Sequence, residues 1–145
     1  MKKPKPNEAK SQDAAIRRPL MEFRHALVDL HKTLIDSERA VYEADIGPVK
    51  SPHHFFQLLT HDPWFTWLRP VSQLIVAIDE VLDAREPLTN DSIDAVIKDS
   101  VFLLVPAKIE GEFGARYLAA LQRDPGVVLA HANVAKRIPA GEPRA

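Results

Sequence analysis

Apolar side chains recur along this chain at the spacing of a helix, and no run alternates as a half-buried strand would. After Pro19, a residue suited to the first turn of a helix, Leu20, Phe23, Leu27, Leu30, Leu34 and Val41 follow at steps of three, four, three, four and seven. At ~100° per residue they fall in a stripe less than ~90° wide, which predicts one long amphipathic helix packed on a single side. Gly47 and Pro48 supply its stop signals.

A second helical region opens at Ser51-Pro52, a capping residue followed by a first-turn proline, and carries Phe55, Leu58 and Leu59. Asp62-Pro63 repeats that start, and Phe65, Leu68, Leu74, Ile75, Ile78 and Leu82 continue the helical period. Pro70 interrupts it, because proline cannot donate to the carbonyl of Thr66, so a kink is expected near Arg69 and Pro70. Thr89 is placed to cap a further helix, with Leu88 stapled on Ile93, and Ile93, Ile97, Val101 and Leu104 form its expected buried face. Pro106 is read as its end. The segment from Glu110 to Arg123 presents Phe113, Tyr117, Leu118 and Leu121 at helical spacing, and Asp124-Pro125 starts a last helix with Val127, Val128, Val134 and Ile138.

Short connections between consecutive helices favour antiparallel neighbours. The expected fold is therefore all-α, an up-and-down bundle of about four to five helices over residues 19–138, with the second helical region kinked at Pro70. Residues 1–18 contain six cations and two acids but few large apolar side chains, which predicts a flexible basic arm. Residues 139–145, rich in proline and small residues, read as a disordered tail.

Composition narrows the chemistry. The 145-residue chain has no cysteine, so disulfides, thiolate nucleophiles and cysteine-ligated zinc are excluded, and a cytoplasmic setting is expected. Nineteen Lys and Arg nearly balance twenty Asp and Glu. Nucleic-acid binding is accordingly not expected: the basic arm alone offers weak, salt-sensitive attraction with no aromatic side chains to stack on bases. No stretch approaches the ~18 consecutive apolar residues of a membrane span. No Gly-x-Ser-x-Gly elbow or glycine-rich phosphate loop occurs, and the adjacent carboxylates Asp79 and Glu80 face apart on a helix.

Glu22-x-x-His25 has the spacing of a di-iron carboxylate motif, but both residues fall opposite the apolar stripe and no second copy exists. His31 and Glu38, one heptad apart, lie at the stripe's edge and could face an inter-helix space. His54, His61 and Asp62, with His53 beside them, form the densest histidine region, chemically suited to Zn or Fe. Two helical turns, ~10 Å, separate His54 from His61. Ordinary boundary histidines are the expected reading, so no cofactor is favoured and a metal site built on His31, Glu38, His54, His61 and Asp62 is the alternative.

His61-Asp-Pro-Trp-Phe-Thr-Trp-Leu-Arg-Pro70 is the most informative stretch, with both tryptophans in ten residues. One reading makes it the plug of the bundle, its indole N–H groups bonded internally. The other leaves Trp64, Trp67 and Arg69 as interface or ligand-binding residues, with Pro70 opening a cleft beside Arg69 for an acidic or aromatic ligand. These signals predict a binding or interaction protein rather than an enzyme, self-associating as a homodimer through Trp64–Pro70. A small-ligand- or metal-binding bundle using histidines near the kink is the second expectation.

Overall fold

The computed structural model describes residues 5–105 and 111–139, which form seven helices and, among these residues, no strand. They are α1 (Pro6–Asp45), α2 (Pro52–His61), α3 (Pro63–Thr66), α4 (Arg69–Leu82), α5 (Asn90–Leu104), α6 (Gly111–Arg123) and α7 (Pro125–Ala135). Five of them, α1 and α4 to α7, make the expected bundle, and α2 and α3 are the short elements leading into α4.

Helix α1 is the axis of the molecule, against which α3, α4, α6 and α7 all pack. Its 40 residues extend ~60 Å. Leu20, Phe23, Leu27, Leu30 and Leu34 are fully buried, and Val41 is half-buried near the end of the stripe. Rising numbers in α1 meet falling numbers in α4: Arg17 donates to the Leu82 carbonyl at 2.8 Å, and Arg24 pairs with Asp79. The two helices are antiparallel. Among the described residues, no helix is long and apolar enough to cross a membrane.

The start of α1 corrects the expectation of an arm through residue 18. Pro6, not Pro19, occupies the first turn, and Pro19 lies exposed inside the helix. Extending an existing helix requires no new nucleation, so a few anchors suffice to hold thirteen more residues. Ile16 continues the buried stripe, and the Asp13 carboxylate accepts from Arg17 and from the Leu88 backbone N–H at 2.7 Å. Those contacts hold the Asp13 carboxyl below its usual range, the Arg17 hydrogen bond contributing most. Residues 1–4 of the expected arm and 140–145 of the expected tail, like Pro106, lie outside the described residues, while Pro139 is buried.

The three paired start signals work as read. Ser51 Oγ accepts from His54 N–H at 3.0 Å, Asp62 Oδ1 from Trp64 N–H at 2.8 Å, and Asp124 Oδ1 from Gly126 N–H at 2.8 Å. Thr89 and Ser92 form a capping box, with Leu88 and Ile93 both buried beneath it. The inner face of α5 is rotated from expectation: Val96 and Ser100 are buried, whereas Ile97 and Val101 are half-buried. Ser100 tolerates this because its hydroxyl donates to the Val96 carbonyl at 2.6 Å. In α6 and α7 the expected Leu118 and Val128 face outward, and Ala120 takes an inner position instead.

Candidate functional site

Between Asp62 and Val71 the chain breaks rather than bends. The Asp62 cap and Pro63 start a single helical turn, and Pro70 has no N–H to carry the ladder on from Thr66. Trp67 and Leu68 form the turn between α3 and α4, bridged by Leu68 N–H to the Phe65 carbonyl at 3.1 Å and Val71 N–H to the Leu68 carbonyl at 3.0 Å. Pro70 becomes the second residue of α4, where a missing N–H costs no helical bond. The interruption expected near Arg69 and Pro70 falls at Trp67 and Leu68, immediately before them.

This break opens a cleft on each side of Arg69. An inner cleft of about 290 Å³ lies between α1, α2 and the α3–α4 turn, with His31, Leu59, Thr60, Phe65 and Ser72 among its walls. An outer cleft of about 440 Å³ is walled by Pro63, Trp67, Gln73, Glu112 and Phe113. Thr66 and Arg69 line both. Arg69 is exposed and makes no ion pair among the described residues, whereas Glu112 across the outer cleft lies 3.8 Å from Arg116. Burial holds the half-buried His31 imidazole below its ordinary pKa, which favours its neutral form. The inner cleft therefore combines a fixed cation, a neutral imidazole and hydroxyls over an apolar floor.

Aromatic packing fixes these walls. Trp64 meets Tyr42 edge-on at 5.7 Å between ring centroids, Phe65 meets Phe55 at 5.7 Å, and Arg39 stands over the Phe55 ring at 4.7 Å. Trp67 leads into a second series through Phe113 and Tyr117 to His131. Of the residues singled out as contacts, Arg69 alone is fully on the surface. Trp64 is half-buried, and Trp67 is only 7% exposed, so it supports the outer cleft from within instead of presenting an anchor. The expected internal bonding of the indoles is also corrected, since the Nε1 atoms of Trp64 and Trp67 are buried without a hydrogen-bond partner among the described residues.

The metal candidates are scattered. His54 Nδ1 accepts from the Lys50 N–H at 3.0 Å, the exposed His61 contacts the Thr60 hydroxyl at 2.7 Å, and Asp62 serves as a cap. Glu38 is buried for a structural reason, accepting from Arg123 Nη2 at 2.9 Å beside Ser37. No three metal-ligating side chains converge among the described residues, so His31, Glu38, His54, His61 and Asp62 are not brought together as one centre. Glu22 and His25 face solvent.

Sequence reasoning missed Arg123–Glu38, Arg24–Asp79 and a buried Tyr117 hydroxyl 2.6 Å from His131 Nδ1. Burial raises the Tyr117 pKa and lowers that of His131, so a neutral phenol meets a neutral imidazole across this hydrogen bond. These pairs join residues 14 to 85 positions apart, and no local spacing announces them. Comparison with known proteins finds no matching family model, no similar curated protein and no similar solved structure.

Proposed function

We propose that this protein works by binding, and that the break between α3 and α4 is its recognition site, with Arg69 as the group that reads a carboxylate on the partner. The observation that carries this reading is the position of Arg69, exposed between two clefts whose walls are fixed by packed aromatic rings. Preformed concavity with one convergent charge is the usual form of a binding site, and arginine is favoured at interaction centres because its planar fork matches carboxylates. The partner we favour is a second copy of the chain, associating through the Trp64–Pro70 region, with Arg69, Pro63 and the exposed part of Trp64 at the contact. A cysteine-free composition supports a reducing cytoplasmic setting.

Sedimentation velocity across a concentration series tests this directly. Wild type is expected to shift from monomer to dimer, and Arg69→Glu to remain monomeric. A wild type that stays monomeric at all concentrations removes self-association. The inner cleft supports a second reading, a small carboxylate ligand held by Arg69 and His31. Calorimetric titration with a panel of mono- and dicarboxylates checks it: heat lost in both Arg69→Ala and His31→Ala is the expected outcome, and heat unchanged in either rejects it.

A further inference from the structure

On the face formed by α4 and α5, two hollows of about 230 and 490 Å³ share Ala77 and Asp99 and so join into one groove. It runs beside α4 from Pro70 to beyond Val81, ~16 Å or three helical turns. Its floor is apolar and low, with Leu74, Ala77, Ala84, Ala95 and Val96 among the lining. The small side chains of Ala77, Ala84 and Ala95 allow a third helix to approach closely. Phe102, 59% exposed, stands at one end, with no aromatic partner among the described residues.

The walls carry one sign of charge. Glu80, Glu86 and Asp99 are exposed along the groove, and no Lys or Arg is among its lining residues within the described part of the chain. Arg85 belongs to a separate hollow with Lys10, Asp13 and Arg17. A groove three turns long with an apolar floor and acidic walls matches an amphipathic helix that places Leu-type side chains on one face and Lys or Arg on its flanks. We infer that the α4–α5 groove is a docking site for a basic amphipathic helix of a partner protein. The occupant seats its apolar face on the alanine floor against Phe102, and its flanking cations pair with Glu80, Glu86 and Asp99. This inference is independent of the Arg69 reading, because the acidic groove excludes the carboxylate that Arg69 selects.

A fluorescein-labelled 18-residue peptide of Leu and Lys in amphipathic helical register is the probe, followed by anisotropy at near-physiological salt with the full chain. Binding is expected in the wild type and in Arg69→Glu. The Glu80→Lys, Asp99→Lys double variant, altered only at exposed positions, is expected to bind at least about tenfold more weakly, and Phe102→Ala about threefold more weakly. Glu22→Lys, on the exposed face of α1, is expected to leave binding within about twofold. Absence of binding by the wild type overturns the inference, as does equal weakening in Glu22→Lys or retained affinity in the double variant. A wild-type dimer that Phe102→Ala dissociates overturns it too, since a second copy would then fill the groove. Circular dichroism of each variant must match the wild type.

Discussion

Helix α1 and the segment from α2 through α4 both bury apolar side chains but by different means. Along α1 a single period places each stripe residue, and the helix runs for 40 residues with one exposed proline tolerated inside it. The α2–α4 segment restarts twice at a cap and proline, turns at Trp67 and Leu68, and adds the buried rings of Phe65 and Trp67 to the aliphatic side chains of Leu58, Leu68, Val71, Leu74 and Ile78. Regularity gives α1 a smooth surface that other helices can cover. Interruption leaves clefts, and Arg69 stands where they meet.

The comparison breaks most sharply in the core. Leu27→Ala, at a fully buried position in the middle of α1, is expected to destabilise the fold by about 2–5 kcal/mol, read from urea unfolding. A loss below about 1 kcal/mol would mean that α1 is not the axis of packing. Pro19→Ala runs the other way. Restoring an N–H inside a helix whose axis continues on both sides is expected to raise stability by about 1–2 kcal/mol, the full proline cost being offset in part by the freer unfolded chain. Were residues 6–18 a loose arm, the same change would leave the melting temperature unmoved.

Asp62→Ala removes the cap that starts α3 and is expected to cost about 1 kcal/mol, while Asp62→Asn, which retains an acceptor for the Trp64 N–H, recovers most of it. Equal losses in both variants would show that the break does not depend on the cap. The smallest effect is in pH. Because burial lowers the His31 pKa in the folded chain, the unfolded chain takes up the proton first as the pH falls below about 6.5. Stability from this group is complete above that pH and declines below it. Thermal melts of His31→Gln are expected to show a shallower decline between pH 6.5 and 5 than the wild type.

Much of this was legible in advance where the signal is local. The stripe of α1, the caps Ser51, Asp62, Thr89 and Asp124, and the cleft beside Arg69 all follow from neighbours within a few positions in the chain. The misplaced features share another cause. Residues 6–18 read as an arm because charge and few apolar groups were weighed without the partners that Asp13 and Arg17 find on Leu88 and Leu82. His54, His61 and Glu38 read as possible ligands because sequence proximity gives no direction to a side chain.

What the sequence by itself determined is the periodicity, the caps and the breakers, since each acts over one or two helical turns and carries its physics in residue type. The tertiary structure alone decided which of the resulting faces meet. It buried Trp67 and left Arg69 in water, paired Glu38 with Arg123 across 85 positions, and set the acids of α4 and α5 along one groove. Those outcomes depend on helix packing, where contacts between distant residues are selected by the shape and charge of whole faces.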